Sequence, residues 1–493
     1  MLVFSTYLKK ETMKEVKQFL SSQIKSMCLL FAIVVGGFWT LSSCSPPCGE
    51  GDPYGNLEEC SVTADATSDG GSTGGSSGGS TGGSTGGSTG GAPATNSITN
   101  VSRLATGSTS TYTVSGYVLD NGSVVTWGRD SYVERDDWMI VDNLTNATQI
   151  SVSPYANLAT GGNSFHHCAV RADKTSICWG RGTKGELGDN LTTDCGYGSS
   201  PTYQPTACAV PIFDTAGAAS NLKKVQVGPG YTIWLDHDGN VYSAGECDAG
   251  KLGTNCSSNQ AYGIKVNGIS NVSDIMVVNN RVCAHKQDDT LWCWGENTSN
   301  EVTSAHNNDV EAPLQIASSV KSFAMGSNHI GMVYDNNTVF CTDNFLASVD
   351  QCTTNFAPYT AIKQIYFSSK VVGLLLDNGS QVSWGYDYYG QMAIRTGAQY
   401  QTNYTVEHGQ IYENGAFSIA DNISFIASSS GGTIHAIMDN GSVIGVGNNE
   451  YRQLGPTNAN VQCSWDEGTV GAVGAGRSNC DHFTYIGLSP TGF

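Results

Sequence analysis

One ten-residue frame organises the apolar and polar positions of this chain. In HHCAVRADKTSICWG an alternating run leads into Cys168, a polar turn follows, and a second run carries Cys178 and closes on Trp179-Gly180. VCAHKQDDTLWCWG places Cys283, Cys293, Trp294 and Gly295 at the same offsets. The frame fits five further stretches, so its ends are Gly116/Thr126, Cys168/Cys178, Ile233/Ser243, Cys283/Cys293, Gly331/Cys341, Gly373/Ser383 and His435/Gly445. Period-two alternation on both sides of a short polar centre predicts a β-hairpin. A cross-strand pair at this spacing leaves a three-residue loop whose last residue is left-handed, a conformation that favours Gly or Asn. That position holds Gly122, Lys174, Gly239, Asp289, Asn337, Gly379 and Gly441, of which Lys174 is the poor choice. A further alternating run precedes each hairpin, as in Val225/Val227, Ile275/Val277, Phe323/Met325 and Ile365/Phe367. Seven copies in an all-β pattern predict a repeat architecture.

A second signature follows the Trp-Gly glycines: Gly185-Glu186-Leu187-Gly188, Gly250-Lys251-Leu252-Gly253, Gly390-Gln391-Met392 and Gln453-Leu454-Gly455. With Gly326-Ser327-Asn328-His329, these residues resemble the regulator-of-chromosome-condensation repeat, which runs G-x-x-H, A-L, D-G, V-x-W-G and G-Q-L-G. The resemblance covers roughly residues 97 to 490. It implies an all-β fold: a seven-bladed β-propeller with four-stranded antiparallel blades around a central channel. A closed ring must join its first and last blades. The tail from Asp481 to Gly487 is expected to supply the closing strand, beside the run that starts near Ile98.

The first residues have another character. Lys9, Lys10, Lys14, Lys17 and Lys25 precede CLLFAIVVGGFW, an apolar run short for a membrane span and suited to a signal peptide. The run ends in Leu41-Ser42-Ser43-Cys44, which looks like a bacterial lipobox with Cys44 as the lipidated mature N-terminus. Ser45 and Pro46 resemble a signal for sorting to the outer membrane. The expected organisation is a lipoprotein signal peptide at 1–43, a short cysteine-containing mature N-terminus at 44–67, a Gly/Ser/Thr-rich linker at 68–96 and the propeller at 97–493. The linker is expected to be a disordered tether with a reach of roughly 30 Å. Localisation is therefore exported and lipid-anchored, at a bacterial outer membrane, facing either the periplasm or the surface.

Cysteine usage agrees with export. Of 16 Cys, those beyond Cys28 and Cys44 fall into sequence-local couples: Cys48/Cys60, Cys168/Cys178, Cys195/Cys208, Cys247/Cys256, Cys283/Cys293, Cys341/Cys352 and Cys463/Cys480. Short spacings without any C-x-x-C motif read as disulfides rather than a metal site. Cys341 stands opposite Gly331 in the frame and is expected to turn to Cys352. The formal net charge of -19 argues against nucleic acid as a partner, since phosphate binding needs clustered Lys and Arg.

Chemistry is sparse. His166 and His167 lack a free cysteine beside them, His329 sits at the repeat's own His position, and His435 occupies a strand position. Asp236-His237-Asp238-Gly239-Asn240 has a calcium-loop look, but turn chemistry accounts for it. No catalytic residue, metal or cofactor is assigned. Spacing between successive Trp-Gly positions is uneven, which places the variation in loops. Residues 129–149 hold Trp138; 189–221 hold Tyr197 and Tyr203; 386–421 hold Tyr386, Tyr388, Tyr389, Tyr400, Tyr404 and Tyr412. Tyr and Trp among Gly, Ser and Asn is the composition of binding loops, although the same aromatics would also serve to cover blade edges. The expected function is a membrane-anchored propeller that binds a protein or glycan at the envelope. The alternatives are a glycan-cleaving enzyme drawing on Asp136, Asp137 or Glu186, and an enzyme inhibitor of the secreted type found among the family's bacterial members.

Overall fold

The structure is a computed structural model that describes residues 103–108, 113–129, 134–153, 156–157, 162–163, 165–196, 204–213, 218–305, 307–342, 350–387, 389–394, 401–413, 416–449, 453–455 and 480–486. The signal segment, Cys44, Cys48, Cys60, the Gly/Ser/Thr linker and Cys463 lie outside them.

Seven antiparallel sheets are arranged as the blades of a propeller, all built on one four-stranded plan. Their first strands are Leu104–Ser108, Ala147–Val152, Leu222–Gly228, Val272–Val278, Val320–Met325, Ile362–Ser368 and Ile423–Ser428. We number the blades 1 to 7 in that order. Every predicted frame pair is a pair of directly opposed residues in the second and third strands of its blade, from Gly116↔Thr126 to His435↔Gly445. The last turn residue is left-handed in all seven hairpins, with φ between 58° at Asp289 and 85° at Gly441. The reason lies in the next blade. The carbonyls of Gly122, Lys174, Gly239, Asp289 and Gly379 each accept the amide of the first inner-strand residue that follows, at 2.8–3.1 Å. These five turns therefore each dock one blade onto its successor.

The cores lie within and between blades. Ile426, Ile150, Ile275 and Ile365 from the first strands share buried clusters with Trp127, Trp179, Trp294 and Trp384 of the Trp-Gly positions, in that order. The glycines after these tryptophans are left-handed, and a Cβ on Gly128 would meet the Thr113 carbonyl oxygen at 2.3 Å.

The fourth strand is where the blades differ. Blades 1, 3, 4 and 6 take Glu134–Ile140, Gln260–Lys265, Val310–Ala317 and Gln401–His408. In blade 2 the edge is met by isolated bridges at Cys178↔Ala209 and Gly180↔Cys195. In blade 5 a short helix, Asp350–Phe356, covers the edge strand Val339–Cys341, and Thr353 donates to the Val339 carbonyl at 2.9 Å. Blade 7 takes Cys480–Tyr485 from the C-terminal tail.

That last element corrects the expected closure. The tail does form a strand, but it pairs with Val443–Gly447 of blade 7, while Ile98 lies outside the described residues. The ring closes through side chains instead. Leu104, Tyr117 and Trp127 of blade 1 share a buried cluster with Ile434, Ile444 and Phe483 of blade 7. The Gln453 carbonyl accepts both Trp127 Nε1 at 2.7 Å and His435 Nε2 at 2.9 Å.

Candidate functional site

The seven first strands enclose an axial channel of about 480 Å³. Six of them carry a register shift after their first residue, and the residue beyond it lines the channel: Gln149, Lys224, Asp274, Ser322, Gln364 and Phe425. A bulge re-aims the side chain that follows it. Several of these side chains stitch neighbouring blades together. The Gln149 amide donates to the Val225 carbonyl and accepts the Val225 amide, both at 3.0 Å. Gln364 does the same to Ile426 of blade 7, at 2.7 and 3.1 Å. Lys224 of blade 3 pairs with Asp274 of blade 4 at 2.6 Å.

The channel mouth at this end is framed by the seven hairpin turns. Each turn presents an exposed aspartate: Asp120, Asp173, Asp238, Asp288, Asp335, Asp377 and Asp439. Inside that acidic circle Lys224, Lys321 and Lys363 line the opening. The mouth face is therefore polar: Lys224 at the opening is paired with Asp274, Lys321 and Lys363 add positive charge near the axis, and of the outer aspartates Asp120, Asp173 and Asp288 are paired with Arg103, Arg171 and Lys286.

The buried ionisable groups away from the channel serve the scaffold. Lys184 N donates to Glu186 Oε2 at 2.6 Å, and burial pushes the Glu186 carboxyl up to about 7. In blade 6 the equivalent Gln391 accepts the Tyr389 amide at 2.7 Å and donates to the Tyr386 carbonyl at 2.9 Å. Lys251 is buried against Glu246, which also takes Lys184 at 2.7 Å. His166 Nε2 meets Thr232 Oγ1 at 2.7 Å. Burial holds His435 down to about 4; for His329, burial and then the positive charge of Arg281 and Lys370 do the same. Asp236 accepts from the Asn240 amide at 2.7 Å and from its side chain at 2.8 Å, so the calcium-like stretch is a turn. No group of three or more His, Cys, Asp or Glu able to hold a metal occurs among the described residues.

Of the aromatic loop residues, the structure describes the side chains of Trp138, Tyr386 and Tyr389. Trp138 is half-buried and meets the edge of Trp127 at 4.8 Å between ring centres. Tyr386 is half-buried beneath Lys370, whose Nζ stands 5.5 Å from its ring. Tyr389 is half-buried against Gly432. Tyr197, Tyr203, Tyr388 and Tyr400 lie outside the described residues, as do the side chains of Asp136, Asp137, Tyr404 and Tyr412. The described parts of the long insertions build blade edges. Thr206 bridges to Asp142 of blade 1, Ala209 to blade 2 and Phe213 to Gly263 of blade 3. Gln410–Glu413 and Ala416–Ile419 form a hairpin that joins the sheet of blade 7 through Ile411↔Phe483. The channel residues were missed in the sequence. A charged or polar residue two places after the buried first residue was the available signal in five of these six strands, and Phe425 departs from it.

The disulfides are Cys168–Cys178, Cys195–Cys208, Cys247–Cys256, Cys283–Cys293 and Cys341–Cys352, and Cys480 is also disulfide-bonded. The two hairpin bonds have identical Cα–Cα distances of 4.1 Å. Such usage indicates an oxidising, extracytoplasmic compartment. No helix among the described residues is long and apolar enough to cross a membrane.

No protein-family profile matches the chain. Over 224 residues it is 23% identical to the human E3 ubiquitin-protein ligase HERC2, which covers 44% of this chain but 4% of that protein; the mouse protein matches equally. The chain thus spans about one twenty-fifth of the length of these curated relatives. Among solved structures it is similar to Prp20p of Saccharomyces cerevisiae, reported with its binding to Gsp1p and histones, at 19% identity and TM-score 0.47 over 63% of this chain and 74% of that one. It is also similar to BamB of Moraxella catarrhalis, at 7% identity and TM-score 0.32 over 69% and 80%.

Proposed function

We propose that the chain is an exported, lipid-anchored binding protein that presents the mouth face of its propeller to a partner at the bacterial envelope. The observation that carries this reading is the face itself: seven exposed Asp-bearing turns around an opening lined by Lys224, Lys321 and Lys363. A rigid, charge-patterned surface selects partners by electrostatic complementarity. The partner is a protein or a glycan. The acidic circle and the net charge of -19 disfavour nucleic acid. A glycan-cleaving reading would need two facing carboxyls, and Glu186, whose pKa lies in the range of a general acid, is already tied to its own turn.

Two arms test the proposal. Replacing Cys44 with Ser is expected to move the protein from the membrane pellet to the soluble fraction; an unchanged pellet would remove the anchor. In-cell cross-linking with the full chain is expected to join the partner to the mouth turns. Cross-links confined to residues 393–416 would move the site to the loops.

A further inference from the structure

We propose that the channel mouth is a carbohydrate-binding site that holds one neutral pyranose between the ring of Phe425 and the Lys224–Asp274 pair. This rests on the binding reading above and names the ligand chemistry of the same face.

Register sets the three residues at one level. Phe425, Lys224 and Asp274 are each the first residue after the shift in their inner strand, and all three line the channel. Ring order sets them across from one another. Neighbouring blades touch in sequence and blade 7 meets blade 1, so blade 7 stands opposite blades 3 and 4 in a seven-membered ring. One wall of the mouth thus carries Phe425, half-buried, packed on one side against the core cluster of the blade 7–blade 1 seam and lining the channel on the other, and the facing wall carries an ammonium and a carboxylate.

A pyranose has this same division, with a C–H face on one side and hydroxyls around its edge. The C–H face suits an aromatic ring. The hydroxyls suit a carboxylate acceptor and an ammonium donor held in place. Asp274 Oδ1 accepts Lys224 Nζ at 2.6 Å and the Ile275 amide at 2.9 Å, which fixes the carboxylate. Among the described residues no donor reaches Oδ2, and the side chain is 46% exposed. One level deeper Gln226 offers a half-buried amide beside Met276, with Ala427 continuing the wall below Phe425. The pair also selects for neutrality. Lys224 and Asp274 already neutralise each other, so at this part of the wall an ion gains little that a hydroxyl does not; Lys321 and Lys363 stand on the blades between this pair and Phe425. The channel volume of about 480 Å³ falls within the roughly 300–1,000 Å³ of small-ligand sites.

The test is saturation-transfer NMR and titration calorimetry on the full-length protein. The probes are methyl glycosides of glucose, galactose and mannose, together with N-acetylglucosamine. Saturable binding of at least one probe is expected. Phe425→Ala and Asp274→Asn are each expected to weaken it by about tenfold or more, the scale of losing one well-placed contact. Phe425→Tyr should stay within about threefold, by retention of the ring, and Glu311→Gln on the outer strand of blade 4, away from the mouth, should change nothing. Should Phe425→Ala fail to fold, Lys224→Gln together with Asp274→Asn gives the same readout. Absence of saturable binding for every probe, or equal binding by wild type, Phe425→Ala and Asp274→Asn, overturns the proposal. An extended hexapeptide that binds and is displaced by Phe425→Ala, while the sugars do not bind, overturns it in favour of polypeptide. Partner cross-linking at the mouth turns that persists without sugar binding would sink the saccharide alone and leave the wider reading standing.

Discussion

Lys174 occupies a turn position where four of the seven hairpins have glycine, and its φ is 62°. A side chain in the left-handed region costs about 1 kcal/mol relative to glycine. Lys174→Gly is therefore expected to stabilise the protein by about that amount in urea unfolding, and a loss of stability would contradict the turn assignment. Glu186 is the second instructive residue. Its blade 6 counterpart Gln391 donates from Nε2 to a carbonyl, whereas Glu186 Oε1 is buried with no partner. Such a carboxyl is best accommodated with a proton. The charged groups acting on it are Arg181, which favours ionisation, and Asp194, which opposes it. Its pKa rises from 4.5 to about 7 on folding, so the folded state holds the extra proton between those values. The contribution is thus fully present below about pH 4.5 and lost as pH rises through 7. Glu186→Gln should raise stability at pH 8 by an amount of order 1–3 kcal/mol and have little effect at pH 4.5. An equal gain at both pH values would show that the proton is irrelevant.

Hairpins were legible in the sequence because turn chemistry and alternation are local. All seven frame pairs and all seven left-handed residues stand where the spacing places them. Blade edges were not legible, because their partners are remote. Nothing near Ala209 announces its pairing with Cys178, or near Ile411 its pairing with Phe483. An open edge is a pairing hazard that the fold must cover, and much of the described insertion sequence does so. The Tyr-rich composition pointed equally to both uses. Blade 5 shows the most economical cover, a helix of seven residues held by Cys341–Cys352. Replacing both cysteines with serine should cost about 2–3 kcal/mol for a loop this short. It should also speed hydrogen exchange in Val339–Cys341. Unchanged exchange there would mean that the helix is held by packing alone.

At the scale of the whole molecule, the repeat explains the ring and the C-terminal strand completes it. Blade 7 depends on Cys480–Tyr485 for its outer edge, and the seam to blade 1 depends on the Gln453 carbonyl that Trp127 and His435 share. Deleting residues 480–493 uncovers Val443–Gly447 beside that seam. Calorimetry is expected to show loss of a single cooperative transition, with aggregation; an unchanged melting curve would mean that closure does not need the tail. The channel was the least legible feature, since Phe425, Lys224 and Asp274 come to line one opening only once seven strands close into a circle. That circle rests on one frame used seven times at one register. Non-reducing peptide mapping of the intact protein tests it most directly. The account predicts Cys168–Cys178 and Cys283–Cys293 within single hairpins and Cys341 linked to Cys352. Cys341 linked to Cys178 or Cys293, or all four hairpin cysteines recovered as free thiols, would contradict it.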